Sequence, residues 1–183
     1  MAKVVIICGN KRSGKTTLSL ILHKKYGFNY YSFDMILDSI ESSFPQLEDK
    51  NDKKYVKLLE LMVERSLNDA KNYNVSSVYD YIFSPEDLSE FKYKDIVDIY
   101  FLANLDANPE NIKEDLIKFS QDYDWPKNCT DEDLNRNIKF ILEYNEKLKN
   151  QCHKYSFKLI NTSRGDKRYN ILNDFALMIL KEK

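Results

Sequence analysis

The sequence predicts a three-layer α/β fold: a mainly parallel sheet covered by helices on both faces. Strand-like and helix-like segments alternate from end to end of the 183 residues, the pattern that parallel strands joined by crossover helices produce. The first apolar run, Val4-Val5-Ile6-Ile7-Cys8, has no polar alternation, so both faces of that strand must be covered. Helix starts are written in the chain as well. Ser84-Pro85, Asn108-Pro109 and Thr130-Asp131 each set a capping side chain before a residue suited to a first turn.

The elements follow in order. Residues 3–8 read as a strand and residues 15–26 as a helix, with Gly27 placed to cap its end. Residues 28–33 read as a second strand. Residues 34–40 have helical spacing that sets Asp34 and Asp38 four apart on one face, close to the strand's end. Across residues 51–73 a stripe of Tyr55, Leu58, Leu59 and Met62 is ordinary amphipathic packing. A third strand over 75–81 carries Asp80 near its carboxyl end, and the Ser84-Pro85 signal predicts a helix after it. Residues 96–102 form the fourth strand, with a helix starting at Asn108. Residues 120–129 have no periodicity and hold the only tryptophan, Trp125; they are a candidate lid. A long helix over 131–155 turns Leu134, Ile138, Ile141, Leu142 and Leu148 to one side. Residues 157–161 are a fifth strand, 162–165 a turn, and Leu172, Phe175, Ala176 and Ile179 mark the inner face of a final helix.

The most informative stretch is Gly9-Asn10-Lys11-Arg12-Ser13-Gly14-Lys15-Thr16, followed by Thr17. It matches G-x-x-x-x-G-K-[ST], a phosphate-binding loop, and lies between a buried strand and a helix as the mechanism requires. Glycine lets the backbone wrap an anion with its N–H groups turned inward. The dipole and free N–H groups of the helix starting near Lys15 point to the same place. In this loop Lys15 reaches β and γ phosphates, the Thr16 hydroxyl ligates Mg²⁺, and Thr17 is placed to touch the α phosphate. A parallel sheet binds ligands beyond the carboxyl ends of its strands. Asp34, Asp80, Ala103-Asn104-Leu105 and Thr162-Ser163-Arg164 belong to that same edge.

Composition narrows the remaining classes. The length suits one α/β domain over residues 1–183. A net charge of −1 with 31% charged residues gives no basic surplus to hold a nucleic-acid backbone. The opening apolar run is too short for a signal peptide or a membrane span, so the expected location is the cytoplasm. Cys8, Cys129 and Cys152 are odd in number and widely separated, which fits reduced thiols. His23 and His153 are isolated, leaving no metal site in view beyond the Mg²⁺ that accompanies nucleotide.

With that loop and that order of elements, the chain resembles the small P-loop kinases, the group that includes adenylate, shikimate and gluconate kinases. The resemblance implies a P-loop NTPase fold with five parallel strands in the order 2-3-1-4-5 and a short lid after the fourth strand. It also implies an acceptor site beside the second strand, adenine near the loop after the fifth, and ATP and Mg²⁺ as cofactors. Asp34 looks like the carboxylate that meets the acceptor in shikimate kinase, and Asp80 like the third-strand aspartate that supports Mg²⁺ through water. Leu37 stands where adenylate kinases carry an acceptor-gripping arginine, and Tyr81 where a glycine follows the third-strand aspartate. Lys118, Lys127, Arg136 and Lys139 replace an arginine-rich lid. A lysine cannot substitute for a bidentate arginine fork, so the departures point to an uncharged or differently charged small-molecule acceptor.

The expected site therefore has Lys15, Asp34 and Arg136 in catalysis, the loop residues Gly9 to Thr17 with Arg164 around the nucleotide, and Thr16 with Asp80 at the metal. Asp34 has two readings, an acceptor-side base or the N-cap of the helix that follows. Arg168 is a further arginine with either a phosphate contact or a plain surface role. The function expected is phosphoryl transfer from Mg-ATP to a small hydroxyl or phosphate acceptor. The alternative is a regulatory or accessory nucleotide-binding protein with no dedicated acceptor.

Overall fold

Six buried residues, Val4–Gly9, make β1 the central strand of the sheet. The computed structural model of the chain describes residues 2–44, 52–120, 125–162 and 166–182, those of 52–54 and 166 by backbone alone. Around β1 stand β2 (Asn29–Ser32), β3 (Ser77–Asp80), β4 (Asp98–Ala103) and β5 (Lys158–Asn161), in the order β2-β3-β1-β4-β5. All four pairings are parallel. This is the predicted topology. It puts β1, and the loop that leaves it, between β3 and β4.

Alternate residues of β1 feed two cores, as a strand covered on both faces requires. Val5 and Ile7 pack with Leu18 and Leu22 of α1 (Lys15–Tyr26) and with Leu172, Phe175 and Ile179 of α7 (Asp166–Lys181). Val4, Ile6 and Cys8 face the opposite layer. There they meet Phe33 and Leu37 of α2 (Phe33–Ser43), Leu59 and Val63 of α3 (Asp52–Tyr73), and Leu148 and Cys152 of α6 (Asp131–Tyr155). A smaller cluster joins α4 (Pro109–Lys118) to α6 through Ile112, Leu116, Leu134, Ile138 and Ile141. No described helix is long and apolar enough to cross a membrane.

Local signals explain the helix ends. Gly27 adopts φ 72° and donates to His23 and Leu22, closing α1. The Asn108 side chain accepts from Asn111 N–H at 2.8 Å ahead of Pro109, and Thr130 accepts from Asp133 N–H at 3.1 Å.

Two expectations are corrected. Ser84-Pro85 does not open a helix: residues 85–90 and 92–96 run as successive turns. Ser84 Oγ does accept from Asp87 N–H at 3.2 Å, but later backbone bonds such as Phe91 to Leu88 and Lys94 to Phe91 span three residues. Leu88, Phe91, Tyr93 and Val97 all turn into the core, and spacings of three, two and four cannot share one helical face. The second correction concerns Asp34. Phe33 leaves the strand to open α2, so Ser32 becomes the cap, accepting from Met35 N–H at 3.5 Å. Asp34 sits in the first turn instead.

Of the candidate lid, residues 121–124 lie outside the described residues. Its end, aperiodic by sequence, forms the short helix α5 (Trp125–Asn128) against α4, with Pro126 buried.

Gly9 is the most tightly enclosed of the described glycines. Its φ is 138°, and a Cβ there would lie 2.1 Å from the Leu102 carbonyl oxygen. Gly9→Ala is therefore expected to cost at least about 2 kcal/mol, read as a lower urea midpoint. An unchanged midpoint would mean that the loop tolerates a different path.

Candidate active site

The loop between β1 and α1 is shaped by its own backbone. Gly9 lies opposite Leu102 in the sheet register, Asn10 N–H donates to the Leu102 carbonyl at 3.3 Å, and Ser13 N–H to the Asn10 carbonyl at 3.3 Å. Arg12 takes the left-handed conformation at φ 59° and Gly14 at φ 97°. No side chain caps α1 at Gly14, so its first N–H groups are left for a ligand. The Ser13 hydroxyl, 1% exposed, has no hydrogen-bond partner among the described residues. A glycine-lined turn, free helix N–H groups and an orphaned buried hydroxyl together fit a phosphate chain.

A buried amide network fixes the loop from behind. Asn10 Nδ2 donates to the Ile141 carbonyl at 2.7 Å and to Asn145 Oδ1 at 2.9 Å, while Asn10 Oδ1 accepts from Lys11 N–H at 2.7 Å. Asn145 Nδ2 passes on to the Asn104 carbonyl at 2.9 Å. Thus α6 and the carboxyl end of β4 hold the loop through two asparagines. The sequence carried a signal for this: Asn145 interrupts the apolar stripe between Ile141 and Leu148, where a polar residue must find partners.

Three titratable groups, Lys15, Asp34 and Asp80, meet in front of the loop. Lys15 Nζ donates to the Asn10 carbonyl at 2.9 Å. Burial lowers the pKa of its ammonium, and Asp34 and Asp80 oppose that shift. Asp80 is 2% exposed; burial raises its carboxyl, while the Thr16 hydroxyl, the Lys15 charge and the Tyr30 hydroxyl hold it down. Solvent reaches Asp34, yet the surrounding protein raises its carboxyl, Lys15 pulls it back, and Asp38 adds a like charge. Burial pushes the Cys8 thiol far up, so Cys8 is an inert core group beneath the loop. The Thr16 hydroxyl beside the Asp80 carboxylate is a hard-oxygen donor set that suits Mg²⁺.

A cleft of about 410 Å³ runs from Arg12 to Thr17 along the loop and past Asp115, Phe119, Arg168 and Tyr169. Arg168 pairs with Asp115 at 3.4 Å, their side chains 17% and 9% exposed. Arg168 is therefore a half-buried wall of the cleft and not a plain surface arginine. Arg12 Nη2 donates to Ser120 Oγ at 3.0 Å, and Lys11 Nζ lies 5.5 Å from the centre of the Trp125 ring.

The structure brings the loop residues, Lys15, Thr16, Asp34 and Asp80 to one carboxyl edge. Arg136 is not among the residues that line the cleft; it lies on an exposed stretch of α6 and pairs with Asp133 at 2.9 Å. Arg164 lies outside the described residues. Tyr30 and Asn145 are the additions that sequence reasoning missed.

No family model matches this sequence, and no curated protein does. Solved structures do match in fold. The shikimate kinase of Bacteroides thetaiotaomicron superposes with a TM-score of 0.61 at 16% identity, covering 98% of this chain and 99% of that one. The Acinetobacter baumannii shikimate kinase in complex with shikimate gives 0.57 at 13% identity, covering 99% and 92%. The YorR protein of Bacillus subtilis, in complex with phosphorylated GDP, gives 0.54 at 17% identity, covering 98% and 96%. The chain thus has the five-stranded P-loop fold of these proteins.

Asn145→Ala is expected to lower stability by about 1–3 kcal/mol, because it strips a partner from the buried Asn10 amide. The same variant should also weaken Mg-ATP binding by calorimetry. Lower stability with unchanged nucleotide affinity would separate the network from the loop.

Proposed function

We propose that the protein is a P-loop phosphotransferase that moves the γ-phosphoryl group of Mg-ATP to a small hydroxyl-bearing or phosphorylated acceptor. The observation that carries this is the convergence of Lys15, Thr16, Asp80 and Asp34 on one loop. The first three suit a nucleotide, and the fourth is a carboxylate that helix capping does not use.

The roles follow from position. The loop N–H groups and the Ser13 hydroxyl bind the phosphate chain, and Lys15 leaves the Asn10 carbonyl to meet the β and γ phosphates. Its ammonium offsets charge that develops on the transferring group. Thr16 and Asp80 would hold Mg²⁺, and the ion would supply charge neutralisation for the phosphate chain. Asp34 orients the acceptor hydroxyl and takes its proton as the new P–O bond forms and the bond to the departing ADP oxygen breaks. Its raised carboxyl pKa makes it a better base than a fully solvated aspartate.

The acceptor side also differs from a phosphate grip. Leu37, at the position of the adenylate kinase arginine, is 5% exposed and belongs to the core. Tyr81 packs its ring against Phe33 and Phe83 with centroids 5.2 and 4.5 Å away. The absence of an arginine at Leu37 favours an acceptor recognised by hydroxyl contacts.

The test is ADP formation from Mg-ATP with pooled nucleosides, nucleoside monophosphates, sugar acids and other hydroxyl metabolites. A rise that depends on one pool establishes the kinase; tight Mg-ATP binding without any rise favours the regulatory alternative. Lys15→Ala should leave the fold intact and reduce turnover at least about 100-fold, and unchanged turnover would remove Lys15 from the site. Asp34→Asn should lower kcat about 100-fold or more while Mg-ATP affinity stays within about twofold. Equal loss of both would give Asp34 a metal role.

A further inference from the structure

We infer that Tyr30 is a positioning residue for the cation site, its hydroxyl holding the Asp80 carboxylate in the orientation that Thr16 and a divalent cation require. The inference rests on the nucleotide-site reading above and extends it to a side chain outside the loop.

The sheet register delivers the contact. Tyr30 pairs with Val78 and Ser32 with Asp80 on the neighbouring parallel strand. Residues two apart share a face, so Tyr30, Val78 and Asp80 all turn toward the layer that contains α1. The Tyr30 ring packs against the cluster of Val5, Ile7 and Leu18. From there its hydroxyl reaches forward to Asp80 and donates to both carboxylate oxygens, each at 3.2 Å.

Equal distances place the donor between the two oxygens, so turning the carboxylate about its Cβ–Cγ bond weakens one contact or the other. The Thr16 hydroxyl, in the first turn of α1, lies close to both the Tyr30 phenol and the Asp80 carboxylate. Oxygens from β2, β3 and α1 are therefore neighbours in front of the loop. Asp80 is 2% exposed, so bulk water does not stand in for a lost donor. An ionised carboxylate has about four acceptor directions. Tyr30 uses some of them and so fixes the rest, which would present the carboxylate to a cation in one orientation. Outer donors of this kind change metal affinity by about 10- to 100-fold.

The experiment is calorimetric titration of ATP into the full chain across a Mg²⁺ series, for the wild type, Tyr30→Phe, Asp80→Asn and the double variant. Thermal midpoints are recorded for each. Phenylalanine fills the same ring volume, so Tyr30→Phe should retain metal-free ATP affinity while the Mg²⁺ concentration for half-maximal enhancement rises about tenfold. In the Asp80→Asn background, Tyr30→Phe should add no further shift. An equal loss of metal-free and Mg²⁺-loaded affinity, an unchanged Mg²⁺ midpoint, or additive effects in the double variant would overturn the positioning role. A wild-type chain whose ATP binding ignores Mg²⁺ would overturn the cation-site reading itself, and this inference with it.

Discussion

The site depends on how closely β1 ends against β4. At Gly9 the backbone lies where no side chain fits beside the Leu102 carbonyl, and Asn10 hydrogen-bonds to that same carbonyl. This contact sets the direction in which the chain leaves the sheet. The two left-handed residues that follow, Arg12 and Gly14, complete the turn into α1 and aim its N-terminus across the carboxyl edge. Because β1 is central, the loop emerges between β3, which carries Asp80, and β4, which leads to Asn104. Sheet order therefore places the carboxylate and the amide network on either side of it.

Charge at this edge is unevenly matched. One lysine, partly removed from water, faces two carboxylates within electrostatic reach, and burial raises both of those carboxyls. In the proposed site a polyphosphate with its metal would bring both signs of charge to such a place, the phosphates to Lys15 and the helix terminus and the cation to Thr16 and Asp80. By contrast, Arg136–Asp133 and Lys139–Glu143 are exposed pairs, each worth at most about 1 kcal/mol. They do little to shape the fold or the site.

Much of this was legible in the sequence because its signals are contiguous. The loop has glycines, a lysine and a threonine at fixed offsets, and Asp80 stood out as a charge at the end of an apolar strand. Misreadings arose where one residue type serves two local structures. Ser-Pro starts helices and turns alike, and the burial of Leu88, Phe91 and Tyr93 decided for turns. Ser32 and Asp34 are both good caps, and a one-residue shift in where β2 ends gave the role to serine. Tyr30 and Asn145 were hidden for another reason: their partners lie 50 and 135 positions away. In one sequence a tyrosine in a strand reads as packing, and an asparagine that interrupts an apolar stripe does not name its partner. Only the register of β2 on β3 and the docking of α6 show what they reach.

The contact between Lys11 and Trp125 has an optical consequence. The chain has one tryptophan, and a cation from the phosphate loop sits over its ring. Indole emission responds to a nearby charge, so an anion that draws Lys11 toward the loop alters the signal of the sole indole. The protein thus carries an intrinsic fluorophore wired to the electrostatics of its own loop, and occupancy there can be followed without a label.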